Sequence, residues 1–312
     1  MTSIQHYAVK LAQAVCFAVL LFCHPARADE FKVLDAYTRY ASSPAVNAPS
    51  DYISWLKRQP QFQGGKLDDF PAGAIVLHHV DVRKMLNALG YGDAEIEEIP
   101  IGHIDPNVLF IVRPKTGRAF VVNRGMPGAG GISTQIAELG ALGVKYAVHI
   151  GTCGLLGSSL PYASLIISSG SYKDGAAFLL SSSAEEAAQQ IAYPDAGLSD
   201  DIERQLAQAQ VTHVSALGFT SPVYYFQKIG LLKALLGFQF DPDKAPGFVE
   251  MEQASFFVTS RLSNVKSASI VVSSDRAVPA GDTLKQEFFA GDIDGLLALA
   301  LQHAIRVLSE QP

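Results

Sequence analysis

Polar side chains follow an apolar run in the stretch KYAVHIGTCGLLG, residues 145–157. His149, Thr152 and Cys153 stand among the glycines at the end of that run. Such a strand exit holds a hydroxyl and backbone amides at a sheet edge, aimed at a ligand. A cysteine alone in this position is more often a small buried filler than a nucleophile, and a lone histidine more often a structural residue. Thr152 is therefore the first candidate for ligand binding.

A glycine-rich stretch, NRGMPGAGGIS at residues 123–133, has the form of a second strand exit that leads into a helix. Glycines let backbone N–H groups approach an anion, and a helix N-terminus adds a favourable dipole. Ser133 stands where the third glycine of a dinucleotide fingerprint belongs, and the Lys-Ser/Thr pair of a P-loop is missing. The stretch indicates either an anion site or a tight turn that only packs a helix on a strand.

Two carboxylates, Glu250 and Glu252, lie in the stretch FVEMEQASFFVTSRL, residues 248–262. Apolar residues recur there at helical spacing and predict a core-facing side: Met251, Ala254, Val258 and Leu262. On such a helix the two carboxylates point in nearly opposite directions. One that is buried beside a ligand needs hydroxyl or amide donors. The alternative is two solvated carboxylates that the helix dipole favours.

A further carboxylate ends the apolar stretch IVVSSDRA, residues 270–277, which delivers Ser274 and Asp275 at a strand exit. Burial would raise the pKa of Asp275 and make this side chain a general acid. The alternative is a helix cap or an ion pair with Arg276.

Strand-like and helical patterns alternate along most of the chain. Seven stretches have the apolar pattern of strands: AIVLHHV, VLFIVRP, AFVVNRG, YAVHIG, ASLIISSG, VTHVSALG and SASIVVSS. Helical patterns cover residues 132–142, 200–210, 252–262 and 292–308. The alternation predicts an α/β fold with a mixed or parallel sheet covered on both faces. Ligands bind such folds at the carboxyl ends of the strands, where the candidate residues lie.

The N-terminal 28 residues have the pattern of a cleavable signal peptide. Lys10 precedes an apolar run of about 13 residues, shorter than the roughly 20 needed to span a bilayer, and Ala26-Arg27-Ala28 offers a small-x-small cleavage site. We predict a signal peptide over 1–28, an N-terminal extension over 29–72 and one domain over 73–312. The protein is then periplasmic or secreted, without stable membrane association after signal removal; the alternative is an anchoring tail.

Composition excludes several classes of function. The 312 residues carry a formal charge of −6 with no run of Lys or Arg, so no nucleic-acid partner is expected and a small polar ligand is favoured. Cys16 and Cys23 leave with the signal, so Cys153 is the only cysteine of the mature chain. An intramolecular disulfide and a cysteine-rich zinc cluster are thereby excluded. The eight histidines are scattered, and no metal is expected.

Taken in order, these motifs resemble those of the nucleoside phosphorylase superfamily. GISTQIAELGALGVKYAVHIGTCGLL is similar to the family's glycine turn, helix, strand and R-[IV]-G-[ST]-x-G motif. YKDGAAF, VEMEQAS and VVSSDRA are similar to the next strand end, the x-E-M-E-x-A ribose motif and the base-side S-D. The resemblance runs from about Ala74 to Leu308. It implies a single-domain, three-layer α/β/α fold with a central mixed sheet, and a homo-oligomer.

The resemblance also implies roles for individual residues. Glu252 would accept the ribose hydroxyls, Met251 would pack on the sugar, and Asp275 would protonate or hydrogen-bond the base. Tyr224 would stack on the base and Thr152 would contact phosphate and ribose. Gly125, Glu250 and Ser274 complete the predicted substrate-binding set. Asp275 is closer to purine-type members and nucleosidases than to enteric uridine phosphorylases.

Two departures from the family pattern concern phosphate. His149 stands where phosphorolytic members carry arginine, and His79 replaces the glycine of their first-strand G-D-P-x-R motif, of which Arg83 is kept. Arg83, His149 and Thr152 are the predicted phosphate ligands, and His149 is also a predicted catalytic residue. A neutral imidazole does not hold phosphate as arginine does, so reduced or pH-dependent phosphate affinity is expected.

Three functions remain open from the sequence. The first is cleavage of the N-glycosidic bond of a nucleoside, with inorganic phosphate as co-substrate and no other cofactor. The second is hydrolysis by water, oriented by Asp81. The third is a non-catalytic protein that binds or stores nucleosides. Retention of Glu252 and Asp275 argues for catalysis, and loss of the arginine at position 149 argues against simple phosphorolysis.

Overall fold

A computed structural model describes residues 48–62, 65, 67–101, 107–157, 159–224, 227–237 and 244–312. The predicted signal peptide lies outside these residues. Eleven strands within them form one sheet. They are β1 Gly73–Leu77, β2 Ile96–Ile101, β3 Asn107–Val112, β4 Phe120–Arg124, β5 Tyr146–Leu156, β6 Leu165–Tyr172, β7 Ile191–Ala192, β8 His213–Thr220, β9 Phe248–Glu250, β10 Lys266–Ala280 and β11 Thr283–Phe288.

Nine α-helices accompany the sheet in the described ranges. They are α1 Pro49–Lys57, α2 Val82–Ala88, α3 Gly128–Leu142, α4 Gly175–Leu179, α5 Ala184–Ala188, α6 Ala196–Gln208, α7 Ile229–Leu236, α8 Gln253–Leu262 and α9 Ile293–Glu310. The four helices predicted from apolar spacing correspond to α3, α6, α8 and α9. Each observed helix lies within a few residues of its predicted range, because buried apolar residues set the spacing in both.

Each face of the sheet carries its own buried apolar cluster. Side chains of α2, α6 and α9 pack on one face, and side chains of α1, α3 and α8 pack on the other. Leu198 and Ile202 of α6 and Ile132 and Ile136 of α3 recur at helical spacing toward the sheet. The predicted three-layer α/β/α arrangement with a central mixed sheet is confirmed.

Strand β1 lies in the interior of the sheet, parallel to both neighbours β4 and β5, and all five of its residues are buried. The order across the sheet is β11-β10-β6-β8-β9-β5-β1-β4-β3-β2, and β10 also pairs with β5. Five strands, β5, β10, β6, β8 and β9, therefore close into a ring. The alternation of strands and helices did not predict this closure.

The inside of the ring is filled by a small apolar cluster of Cys153, Leu155, Ile166, Phe248 and Val271. The Cys153 thiol is buried, and this burial raises its pKa well above the usual value. A thiol held protonated inside a strand ring is a poor nucleophile, in agreement with its interpretation as a filler.

The described part of the predicted N-terminal extension packs onto the domain. Ile53 and Leu56 of α1, with Phe62 and Leu67, are buried in the same cluster as helix α3. The boundary at residue 72 stays a prediction. Among the described residues, no helix combines the length and apolar character that crossing a bilayer requires.

Candidate functional site

The candidate residues lie on neighbouring strands near the carboxyl ends of β1 and β4. Leu77 of β1 pairs with Arg124 of β4 and with Ile150 of β5, so β1 and β4 end level, while β5 continues to Leu156. On the other side of β5, Thr152 is beside Val272 and Gly154 beside Asp275 of β10. Thr152 and Asp275, predicted at strand exits, lie inside strands, because β5 and β10 continue through hydrogen-bonded pairing to Leu156 and Ala280.

Two cavities open at this end of the sheet. The first, here named the β1–β4 cavity, has a volume of about 720 Å³ and is lined by His79, Asp81, Arg124, Gly125 and Met126 among others. The second, the hairpin cavity, measures about 570 Å³ and lies under the hairpin of β10 and β11. Its lining includes Tyr224, Glu250, Met251, Asp275 and Gln286.

Glu250 ends β9 and is fully engaged by four donors. One carboxylate oxygen accepts from the Thr220 hydroxyl at 2.5 Å and the Ser171 hydroxyl at 3.2 Å. The other accepts from the backbone N–H groups of Glu252 and Gln253, at 2.6 and 2.7 Å. Burial raises the pKa of Glu250 to about 8, although the hydrogen bonds act in the opposite direction. Glu250 thus joins β9 to the first turn of α8.

Glu252 turns toward a different part of the site. It is the N-cap residue of α8, and its buried carboxylate accepts from the backbone N–H of Gly128, at the start of α3, at 2.7 Å. Burial raises its pKa. The predicted helix from residue 252 begins at Gln253, so the two carboxylates diverge because a strand turns into a helix between them.

The Glu252–Gly128 contact lies between the two cavities. Met251, next to Glu252, lines the hairpin cavity, and Pro127, next to Gly128, lines the β1–β4 cavity.

Asp275 is presented to the hairpin cavity by an irregularity in β10. The register of β10 against β5 shifts between Ser273 and Asp275, which re-aims the side chain. Its carboxylate accepts from the Ser274 hydroxyl at 2.8 Å and from the Gln286 amide of β11 at 2.7 Å. Gly154 leaves the room for it, because a Cβ there would lie 3.0 Å from the carboxylate.

His149 is buried within the fold, on strand β5, and lines neither cavity. Its ring is buried, with Nδ1 at 2.8 Å from the Ser269 hydroxyl. Ser269 accepts in turn from Gln253, whose carbonyl accepts from Ser168. Burial, with His78 and His79 nearby, lowers the pKa of His149 well below its usual value. The buried, neutral ring is unsuited to the predicted phosphate contact.

His78 packs between His149 and the glycine stretch. The two imidazole centroids are 4.9 Å apart, and burial lowers the pKa of His78 to about 3. A Cβ at Gly125 would lie 2.1 Å from Nε2 of His78, so only glycine fits there. The predicted substrate role of Gly125 thus has a packing reason beside it.

The amides of the glycine stretch are already used by the protein. The N–H of Gly125 donates to Leu77 O at 2.9 Å, that of Met126 to the Gln135 side chain at 2.6 Å, and that of Gly128 to Glu252. Pro127 has no N–H. Residues 125–128 therefore lack a free amide for the anion cradle that the sequence suggested.

Arg83 and Asp81 both bind to residues of the protein that line neither cavity. The Arg83 guanidinium on α2 forms ion pairs with Asp93 and, at 3.2 Å, with Glu98. Phosphate binding by Arg83 would have to displace these carboxylates. The Asp81 carboxylate caps α2 by accepting from the backbone N–H of Lys84 at 3.0 Å, which occupies one oxygen of the predicted water-orienting group.

Sequence reasoning missed three residues of the site. Arg124 lines the β1–β4 cavity, Gln286 holds Asp275, and Gln253 links His149 to Ser168. Arg124 was readable as the last residue of a predicted strand. The other two had no local signal, since their partners come from distant parts of the chain. Across the described residues, no group of three His, Cys, Asp or Glu side chains could hold a metal ion.

Comparison with known proteins identifies the family. The family model of the Phosphorylase superfamily matches residues 82–309. The chain belongs to this superfamily. No curated protein matches it at a significant level.

Solved structures of the superfamily share the fold at low sequence identity. The uridine phosphorylase of Vibrio fischeri ES114 aligns with a TM-score of 0.60 at 16% identity, covering 78% of this chain and 95% of that one. The purine nucleoside phosphorylase of Toxoplasma gondii, in complex with immucillin-H, gives 0.60 at 14%, over 78% and 91%. The Campylobacter jejuni 5'-methylthioadenosine/S-adenosyl homocysteine nucleosidase gives 0.58 at 14%, over 77% and 100%.

For this phosphorylase-superfamily chain, the geometry separates the predicted site residues into groups. Tyr224, Glu250, Met251 and Asp275 line the hairpin cavity, Gly125 lines the β1–β4 cavity, and Glu252 lies between the cavities. Ser274 supports Asp275. Thr152 is half-buried on β5. His149 and Arg83 line neither cavity.

Proposed function

We propose that this superfamily member cleaves the N-glycosidic bond of nucleosides. The observation that carries the proposal is the hairpin cavity, where Met251, Tyr224 and Asp275 share one lining and Glu252 follows directly in the chain. An apolar contact, an aromatic ring and two carboxylates fit a sugar joined to a base. A storage protein has no need for a carboxylate at each end of such a ligand.

The chemistry assigns each carboxylate a task. Breaking the bond leaves its electron pair on the base nitrogen and builds positive charge on the sugar, as in glycoside cleavage. Glu252, beside Met251, accepts the sugar hydroxyls and favours the developing charge. Asp275 contacts the base. Held by donors from Ser274 and Gln286, its ionised form accepts an N–H of the base; its protonated form releases one of these donors and supplies the proton.

The nucleophile that adds to the sugar carbon is phosphate in our first proposal, following the superfamily's phosphorylases. Hydrolysis by water is the second candidate, and one observation favours it: His149 is buried and neutral where the resemblance expects a phosphate-binding arginine. Base specificity follows from Asp275, whose place in the motif resembles purine-type members. We therefore expect purine nucleosides to be better substrates than uridine.

The deciding experiment measures base release from inosine, adenosine, guanosine, uridine and methylthioadenosine by the purified protein, with and without inorganic phosphate. Release that requires phosphate supports phosphorolysis, and release without phosphate supports the hydrolase. Nucleoside binding with no release on the whole panel would refute the catalytic proposal in favour of a binding protein.

The predicted signal peptide and the resemblance support two further proposals. We propose that the protein is exported to the periplasm or secreted, and that it assembles as a homo-oligomer. Fractionation of producing cells and light scattering of the purified protein test them.

A further inference from the structure

Among the described residues that line the two cavities, Arg124 is the positively charged side chain without a hydrogen-bond or ion-pair partner. Its exposed side chain, at the carboxyl end of β4, makes no hydrogen bond or ion pair within the described residues. The other arginine near this end, Arg83, is held by Asp93 and Glu98. In the hairpin cavity, Lys285 pairs with Glu287 at 3.2 Å. An anion that enters this end of the sheet therefore finds one unpaired guanidinium among the described lining residues.

The neighbours of Arg124 leave room for an anion. His79 lines the same cavity with a left-handed backbone, φ 64°, a conformation that is strained outside glycine and is concentrated at functional sites. Burial, and after it the charge of Arg124, lowers the pKa of His79, so this imidazole stays neutral near neutral pH. The one acid of the lining, Asp81, forms no ion pair with Arg124 and caps α2.

Residues 125–128, which line the cavity beside Arg124 or follow its lining, offer no free N–H to an anion. A guanidinium, by contrast, presents a fork of donors that matches two oxygens of a phosphate. Neighbouring strands lie about 4.8 Å apart, so Arg124 starts about 10 Å from β5, two strands away. Thr152, two residues beyond the β5 residue that is level with Arg124, lies farther still and lines neither cavity.

We propose that Arg124 forms the phosphate subsite of this protein, in the β1–β4 cavity, in place of the residues at positions 83 and 149. The inference rests on the proposed nucleoside cleavage for its purpose, since the bound phosphate would be the nucleophile. It places the anion at the end of β4 and β1, with His79 as a neutral hydrogen-bonding neighbour.

The test compares three arginine-to-methionine variants: Arg124→Met, Arg83→Met and Arg118→Met. Arg118 is the matched control, an exposed arginine just before β4 that lines neither cavity. Binding of inorganic phosphate is measured directly by calorimetry at constant ionic strength, and the KM for phosphate is measured in base release. We expect Arg124→Met to weaken phosphate binding about 10- to 100-fold, with Arg118→Met unchanged.

The binding readout keeps this proposal separate from the proposed function. Phosphate binding that is lost in Arg124→Met supports the subsite even if the wild type releases no base. Base release by a wild type that binds no phosphate overturns the subsite and leaves nucleoside cleavage standing as hydrolysis. Loss of binding in Arg83→Met with Arg124→Met unaffected also overturns it, and returns the phosphate to the residue that the sequence indicated.

Discussion

Glu250 and Glu252 are two residues apart, yet their surroundings give them different tasks. Glu250 meets two hydroxyls and two backbone amides, which use its four acceptor positions inside the protein. Glu252 accepts from the backbone N–H groups of Gly128 and Met251, two donors against the four of Glu250, which leaves capacity for a ligand. Glu250 is thus a structural carboxylate that holds the start of α8, and Glu252 is the one available for the sugar contact of the proposed function.

Replacing Glu252 by glutamine should impair cleavage without unfolding the protein. The amide keeps the size of the side chain and can still accept from Gly128, but it loses the charge that strengthens hydrogen bonds to sugar hydroxyls. We expect kcat/KM for the best nucleoside to fall about 10- to 100-fold. Glu185→Gln, on the exposed surface of α5, is the control. An unchanged kcat/KM in Glu252→Gln would remove this residue from the reaction.

Glu250 should make the stability of the protein depend on pH. Its pKa is raised from 4.5 to about 8 in the folded state, so the folded protein binds more protons than the unfolded chain between these values. This contribution to the free energy of unfolding is present at low pH and is lost as the pH rises toward 8. Glu250→Gln mimics the protonated form, and its stability should not decline over that interval. Urea unfolding at several pH values measures the difference.

Parallel pH curves for the wild type and Glu250→Gln would show instead that the four donors keep Glu250 ionised. Glu250→Ala serves as the reference for a broken contact. It leaves the amides of residues 252 and 253 without their acceptor, which should lower the free energy of unfolding by about 2 to 6 kcal/mol relative to Glu250→Gln. Because neither variant carries the Glu250 carboxyl, this difference should not change with pH.

At the scale of elements, the segments that follow β1 and β4 pack closely against each other because position 125 is a glycine. The His78 ring, which follows β1, occupies the space that a side chain at position 125 would need after β4. The two exits can therefore change conformation only together.

Exchanging Gly125 for alanine should disturb this fit. The new Cβ would lie 2.1 Å from Nε2 of His78, so the ring must move against His149, and we expect a loss of about 1 to 3 kcal/mol in the free energy of unfolding. Gly130→Ala is the matched control on α3, because nothing lies within 4 Å of its new Cβ. The control should be neutral or stabilise the helix by up to about 1 kcal/mol. Equal stability of the two variants in urea unfolding would contradict the fit.

Elements with a strong local pattern were predictable from the sequence. Helices α3 and α6 and strand β1 bury whole faces, so apolar spacing identifies them. Strands β2 and β11 escaped prediction because at most half of their residues are buried and charged or polar residues interrupt the pattern. β9 is only three residues long. Its place in the sheet depends on partners from β5 and β8, which no local pattern reports.

Of the site, the sequence indicated which strands carry candidate residues, but not where β5 and β10 end or which side chains are free. The resemblance placed Tyr224, Met251 and Asp275 together, and they share one cavity. It could not show that Arg83 is held by carboxylates, since Asp93 and Glu98 lie on another loop and strand. The burial of His149 was equally hidden, because the rings that cover it come from distant segments.

At the scale of the whole molecule, the fold buries three imidazoles among the described residues, those of His78, His149 and His303, and this burial lowers the pKa of each. Burial lowers the pKa of His78 from 6.5 to about 3 and that of His149 well below 6.5. Below about pH 6.5 the unfolded chain therefore binds more protons at these positions than the folded protein does. Their contribution to stability is full above that pH and is lost as the pH falls toward 3.

This acid sensitivity is best measured in the Glu250→Gln variant, where the opposing contribution of Glu250 is gone. We expect the urea midpoint of that variant to fall steadily between about pH 6.5 and pH 5. A midpoint that stays constant over this interval would mean that His78 and His149 become protonated within the folded protein.

The contact of His78 with Gly125 and His149 also limits how the sequence can evolve. A single exchange of His149 for arginine would place a guanidinium charge among buried rings, at a cost of several kcal/mol. A smaller residue at position 78 would leave a void while histidine remains at 149. Each of these single substitutions, at position 149 or at position 78, is thus destabilising, although the two together need not be. We expect positions 78, 125 and 149 to be inherited together. Lineages with histidine at position 149 should then rarely return to arginine there.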